Sequence, residues 1–248
     1  MKQLIDISAW QGDVDFSRLA GKVDGVMIRA GFGARSIDGM FSRNISECNR
    51  LGIPCGVYWF SYAYTPNMAL LEALACLKAI ENYRVELPVA FDWEYDSERY
   101  AKEHGVTPTA DLCNGMAHSF LDQIEKAGYY AMLYTNPDMK RRYFDKCDSY
   151  DLWLASWGVP EMPDCGIWQY GLTSVDGISG RVDGNQTKRD YPELIRSAGL
   201  NHLANGDKLS PTDKYGKVKA WAEENGIAGK ALTLEDLIKV LEMMEAAK

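Results

Sequence analysis

Short apolar runs, each closed by a turn signal, recur eight times along the first 190 residues. They are QLIDIS (3–8), GVMIRAG (25–31), CGVYWFSYA (55–63), PVAFDWE (88–94), YYAMLYTN (129–136), DLWLASW (151–157), GIWQYG (166–171) and RVDGNQ (181–186). Their length, their β-branched and aromatic content and the Gly, Pro and Asn around them predict strands. Between the earlier runs lie helix-like segments at 40–52, 66–83 and 108–128, and a shorter one at 137–147. The third follows Thr107 and Pro108, a cap and first-turn pair, and ends at Gly128. Alternating strands and helices predict an α/β fold with a parallel sheet. Eight strands predict a closed (β/α) barrel. Residues 158–165 and 172–180 are too short for a helical crossover of about a dozen residues. The expected fold is an irregular (β/α) TIM-like barrel, with helices missing in its last third and some late strands antiparallel.

The pattern changes after residue 200. NHLANGDK is polar and loop-like, and Ser210 and Pro211 then open a helical segment carrying Tyr215, Val218 and Trp221. A turn at GIAGKA leads to a second helix with Thr233 and Asp236 as a capping box and Leu234, Leu237, Ile238, Leu241 and Met244 on one face. The expected organisation is a barrel over 1–200 and a helical hairpin over 201–248. Such a hairpin is too small to bury much core by itself. Its apolar faces call for the barrel, an external ligand, or a second copy in a homodimer.

Composition narrows the partners. The net charge is −8 with no basic run, which argues against nucleic acid. No apolar run is long enough to span a bilayer, so membrane insertion is not expected. The start, MKQLIDISAWQG, has neither a long apolar core nor a small-residue cleavage site, so no signal peptide is expected and synthesis is assigned to the cytoplasm. Six Cys and three His form neither CxxC nor HExxH, so no metal and no cofactor are expected. Cysteines in apolar stretches, such as Cys55, read as reduced, mostly buried thiols. The 7 Trp and 14 Tyr serve either core packing or stacking against the C–H faces of sugars.

The chemistry-bearing residues fall at strand ends, where (β/α) barrels carry their sites. PVAFDWE ends in Asp92 and Glu94, which share one face if the backbone stays extended, with Trp93 on the other. Two carboxyls so close resist ionising together. Asp6 ends the first strand and Asp183 lies on the eighth. Arg29, Tyr62, Tyr134 and Gln169 fall on or just beyond the second, third, fifth and seventh, and Trp10 follows the first. Taken singly, Asp183 would be a turn residue, Arg29 a counter-charge, and Asp13 and Asp15 turn and cap residues. Four acids on one rim, flanked by aromatics, match the needs of glycoside hydrolysis, where one carboxyl protonates the leaving oxygen and another handles the developing cation.

DISAWQG, VMIRAGFG, GIPCGVYWFSYA, PVAFDWE, YTN, LWLASW, IWQYG and GRVDGNQ occur in the order found in glycoside hydrolase family 25. The chain thus resembles the muramidases, or Chalaropsis-type lysozymes, of phage endolysins and bacterial autolysins, over roughly residues 3–190. The resemblance implies cleavage of the β-1,4 bond between N-acetylmuramic acid and N-acetylglucosamine in cell-wall peptidoglycan. It implies Glu94 as general acid, and Asp92 either orienting the substrate's 2-acetamido group or acting as second carboxylate. Asp6 and Asp183 would shape the cleft and help keep Glu94 protonated, and Tyr62 would lie near the cleaved bond. On alternate strand residues the acids stand roughly 6–7 Å apart by Cα rise, which favours attack by the acetamido oxygen over a separate nucleophile. Another N-acetylated glycan such as chitin, or wall binding without catalysis, are the competing readings. The hairpin would then be a wall anchor, in faint likeness to S-layer-homology modules, or a packing element. An enzyme of this kind without a signal would reach the wall by phage lysis or another export route.

Overall fold

The computed structural model describes residues 1–203; the rest of the helical hairpin expected over 201–248 lies outside the described residues. Among them nine strands alternate with helices. The strands are β1 (Lys2–Ile7), β2 (Gly25–Phe32), β3 (Ser36–Ile37), β4 (Cys55–Phe60), β5 (Val89–Asp92), β6 (Ala131–Thr135), β7 (Asp151–Ala155), β8 (Ile167–Thr173) and β9 (Val182–Thr187). The helices are α1 (Phe16–Leu19), α2 (Phe41–Leu51), α3 (Pro66–Ile80), α4 (Tyr95–Glu103), α5 (Ala110–Lys126), α6 (Pro137–Tyr143) and α7 (Tyr191–Ser197). Eight strands close into a barrel in the order β1-β9-β8-β7-β6-β5-β4-β2, and β2 returns to β1. The two-residue β3 only folds back on β2.

The irregular barrel expected from the sequence is the fold observed. Barrel pairs from β1 through β8 are parallel, apart from the antiparallel β2–β3 fold-back, whereas β9 is antiparallel to both β8 and β1. No helix connects β7 to β8, yet the pair stays parallel. Its irregular link is held by Trp168 Nε1 donating to Ser156 O at 2.7 Å and Gly166 N donating to Leu152 O at 2.9 Å. The helix expected from Thr107 begins later: Thr109 is its cap, accepting from Leu112 N at 3.2 Å, because Pro108 itself stays outside. Helix α4, directly behind Glu94, has no counterpart in the sequence reading; its polar run YDSERYAKE offers little apolar periodicity.

Strand parity divides the core in two. Ile5, Ile7, Val26, Ile28, Val57, Trp59, Val89, Phe91 and Leu133 face outward, against the helices. Leu4, Met27, Ala90, Met132, Trp153 and Ile167 fill the barrel with Leu87, Tyr191 and Ile195. Burying each large side chain contributes about 1.5–3 kcal/mol. The inner layer is tight around Gly56, where a Cβ would stand 2.7 Å from both Leu87 Cβ and Met27 Sδ. Gly56→Ala is therefore expected to lower stability by about 1–3 kcal/mol through overpacking, read as a shifted urea midpoint with unchanged slope. The turn after α7 also belongs to the barrel. Asn201 is buried, accepts from Tyr130 N at 2.7 Å and donates to Val85 O and Leu87 O at 3.1 and 3.0 Å.

Candidate active site

Inward-facing positions turn from apolar to polar at the end of the barrel where the parallel strands finish. Asp6, Arg29, Tyr58, Asp92, Tyr134 and Gln169 follow, two residues on, the inward Leu4, Met27, Gly56, Ala90, Met132 and Ile167. Because β9 runs backward, its first residues reach the same end, and Asp183 pairs directly with Asp6. The four acids singled out in the sequence thus come together.

Asp92 is the last residue of β5 and is buried. Glu94 caps α4, with extended φ −126° and ψ −171°, so strand alternation continues through it. Its backbone N donates to Ser97 Oγ at 3.1 Å. Trp93 turns the other way, wholly buried between Tyr143 and Phe144, with its indole N–H on Ala63 O at 3.1 Å. The two carboxyls are near enough to act on each other. A hydrogen bond between them needs a proton, since two carboxylates both accept. Burial first, then the charge of Glu94 and their mutual bond, raise Asp92 well above the ordinary carboxylate range. Burial also raises Glu94, helped by Asp96 and Asp183, while its bond to Asp92 pulls it down. Both shifts favour a pair that holds a proton, with Asp92 the deeper group.

Asp6 stands across the barrel on a polar chain. Its Oδ2 accepts from Gln169 Nε2 at 3.0 Å and Asn185 Nδ2 at 2.8 Å. Gln169 Oε1 accepts from Tyr134 OH and from Trp157 Nε1, both at 3.2 Å, and Asn185 Oδ1 accepts from Trp153 Nε1 at 2.7 Å. Burial and the charge of Asp183 raise Asp6 to about 7 despite these donors; burial also raises Asp183. Tyr134 and Gln169 are buried, so they hold Asp6 from below. Arg29 Nε bonds Asp38 at 2.8 Å, and its charge also pulls Asp92 down. Asp38 further accepts from Ala9 N at 3.0 Å, fixing the 3-10 turn Ala9–Gln11 that displays Trp10, 84% exposed. Tyr62 lies just past β4, its ring 4.9 Å from that of Tyr100. The sequence reading does not single out Asn185, although its spacing from Asp183 puts it on the same face of β9. Tyr58 and Trp157 stand among the rim aromatics, and parity separates Tyr58, inside, from Trp59, which packs outward.

The raised pKa of Asp6 has a consequence for stability. The folded chain keeps this proton up to about pH 7, whereas the unfolded chain releases it near pH 4. Its contribution is complete below about pH 4 and is lost as pH rises toward 7, on the order of 4 kcal/mol for this group. Asp6→Asn, whose Oδ1 still accepts from Asn185 and Gln169, is expected to raise the melting temperature at pH 8 and leave it nearly unchanged at pH 4. Equal shifts at both pH values would show that Asp6 is ordinary.

Six cysteines are free thiols, five of them buried. No described helix is long and apolar enough to cross a membrane.

Comparison with known proteins agrees with the motif order. Residues 5–180 match the family model described as glycosyl hydrolases family 25. The autolysin LytC of Streptococcus pneumoniae, solved with a synthetic peptidoglycan ligand, is 28% identical with a TM-score of 0.63 over 74% of this chain and 46% of its own. This chain thus spans less than half of LytC. The CTP1L endolysin is 24% identical, with a TM-score of 0.67 over 79% of this chain and 70% of its own. The lysozyme of Streptomyces coelicolor is 24% identical, with a TM-score of 0.63 over 82% and 98%; these last two likenesses speak for the fold. No curated protein sequence matches. With its family model covering well over half its length, and with paired acids at the rim of the matching barrel, the chain belongs to family 25 of the glycosyl hydrolases.

Proposed function

We propose that this chain is an N-acetylmuramidase that hydrolyses the β-1,4 bond between N-acetylmuramic acid and N-acetylglucosamine in bacterial cell-wall peptidoglycan. The observation that carries the reading is the placement of Asp92 and Glu94 on one face at the mouth of the barrel, with Asp6 and Asp183 paired on the same rim. Glu94 is the less buried member and is the acid that meets the glycosidic oxygen. Asp92 receives the N–H of the substrate's 2-acetamido group. That new donor favours the Asp92 carboxylate, so the pair's proton settles on Glu94 as substrate seats. Glu94 then protonates the leaving oxygen while the acetamido oxygen attacks the anomeric carbon. The anionic Asp92 stabilises the positive charge that develops on the acetamido nitrogen. Water opens the ring intermediate with Glu94 as base. Asp183, beside Asp6 on one wall, keeps the local potential negative, which favours both the proton on the pair and the cationic transition state. Trp10, Trp157 and Tyr62 offer ring faces to the glycan strand.

Digestion of purified peptidoglycan, followed by borohydride reduction and mass spectrometry, tests the reading. Reduced muramic acid ends are expected. Reduced glucosamine ends would move the cleaved bond while leaving the acid pair in place. No new ends, from folded protein that still pellets with walls, would make the chain a binding module.

A further inference from the structure

Helix α3 buries a carboxyl on its apolar face. Glu72 lies among Ala69, Ala73, Cys76 and Leu77 with none of its surface exposed. A leucine there would fill the space without a desolvation cost. The carboxyl must be doing something that a leucine cannot.

Its partners all lie on one three-residue loop. Glu72 Oε1 accepts from Tyr62 N at 3.0 Å, and the Ser61 hydroxyl and Ala63 amide stand close to the same carboxyl. That loop is also tied to the acid-bearing strand. Ser61 N donates to Asp92 O at 2.7 Å and Ala63 O accepts from the Trp93 indole. The Tyr62 side chain projects between Phe60 and Tyr100, ring centroids 5.2 and 4.9 Å away. Burial raises Glu72 to about 8, against the pull of the nearby Ser61 hydroxyl and the Tyr62 and Ala63 amides. At neutral pH it is therefore mostly an uncharged acid whose carbonyl oxygen accepts the Tyr62 amide.

We infer that Glu72 is a positioning residue for the hydrolytic site: from inside α3 it fixes the Ser61–Ala63 loop and thereby the Tyr62 ring against the glycan at the cleaved bond. This rests on the assignment of Tyr62 as a substrate contact, so the test separates the two. Kinetics on soluble peptidoglycan fragments are compared for the wild type, Glu72→Gln, Glu72→Leu, Tyr62→Ala and the double variant Glu72→Leu/Tyr62→Ala. Glutamine offers the same carbonyl oxygen and should stay within about threefold of wild type. Leucine leaves the Tyr62 amide unpaired and should lower kcat/KM by roughly tenfold or more. If Glu72 acts through Tyr62, the double variant is no worse than Tyr62→Ala, because losses through one contact do not add. Losses that multiply in full, or a Gln variant as impaired as Leu, overturn the inference and leave the Tyr62 assignment standing. A Tyr62→Ala variant with wild-type kinetics overturns both. Hydrogen exchange on the wild type decides the matter even if the Leu variant does not fold: the Tyr62 amide should be protected like the strand amides, and free exchange would exclude Glu72 as its anchor.

Discussion

Glu94→Gln should yield a folded protein whose hydrolysis of peptidoglycan has fallen by roughly 10²–10⁴-fold, the usual worth of general acid catalysis. Glutamine keeps the size of the side chain and can still hydrogen-bond Asp92, but it has no proton to give to the leaving oxygen. The fold should not suffer, because the substitution removes one ionisable group from a close pair of acids whose ionisation burial opposes. The melting temperature should therefore equal or exceed that of the wild type near neutral pH. Asp92→Asn should cost activity too, by about 10²-fold or more, for a different reason: an amide cannot become the anion that stabilises the charged acetamido group. The two variants differ in pH dependence. In the wild type the pair must hold one proton, and activity should fall once both acids ionise on the alkaline side. Asp92→Asn removes the more strongly raised of the two acids and leaves Glu94 alone to hold the proton, which shifts that alkaline limb downward. Released reducing ends, measured beside a thermal melt, check all of this. A Glu94→Gln protein with rates near those of the wild type would remove Glu94 from the chemistry.

Why these acids could be found from residues is a matter of period. A strand has a two-residue repeat, so DWE at the end of PVAFDWE puts both carboxyls on one side before any fold is known. The same repeat sorts Tyr58 from Trp59, but only once a neighbouring inward residue fixes the phase; the sequence offers both aromatics equally. Asp183 was legible as an acid on the last strand, yet its place at the rim depends on β9 running backward. In a parallel β9 the early residues VDG would sit at the opposite end, away from Asp92. The short connections before β8 and β9 predict the irregularity but not which pair reverses: β7–β8 stays parallel and β8–β9 does not. Polar residues that act through others were harder to read. Glu72 sits in an apolar helix pattern where an acid looks like a misplaced surface residue, and Asp38 in SIDGM looks like a turn. Only tertiary contact shows that one accepts the Tyr62 amide and the other orients Arg29. Helix α4 escaped notice because its stability comes from its ends and flanks. Glu98 is buried and gathers Lys102, Arg142 and Tyr143 at 2.6, 3.1 and 2.8 Å, contacts that span 44 and 45 residues for the last two.

Trp93→Ala should be the most damaging single change to the scaffold of the site. The indole is wholly buried and meets Tyr143 and Phe144 edge to face, with centroids 5.6 and 6.1 Å away. Truncating such a side chain costs about 3–5 kcal/mol in lost burial and residual cavity. The Ala63 carbonyl also loses its donor, which adds about 1–3 kcal/mol where water cannot reach it. In a domain of this size each kcal/mol is worth about 2–4 °C, so the melting temperature should drop by roughly 10 °C or more. Trp93→Phe separates the two causes: it keeps a ring in the aromatic nest and loses only the N–H, so its loss should be the smaller. The effect should reach the chemistry as well. Trp93 is the one residue between Asp92 and Glu94, and its anchor on Ala63 ties that strand end to the loop that Glu72 holds. Slack at this point should lower kcat even at temperatures where the Phe variant is fully folded, because the acid pair relies on carboxyls held side by side. A Trp93→Ala protein that melts within a degree or two of wild type would mean that the strand end is held from elsewhere. In that case the shared placement of the two acids would owe nothing to the aromatic face behind them.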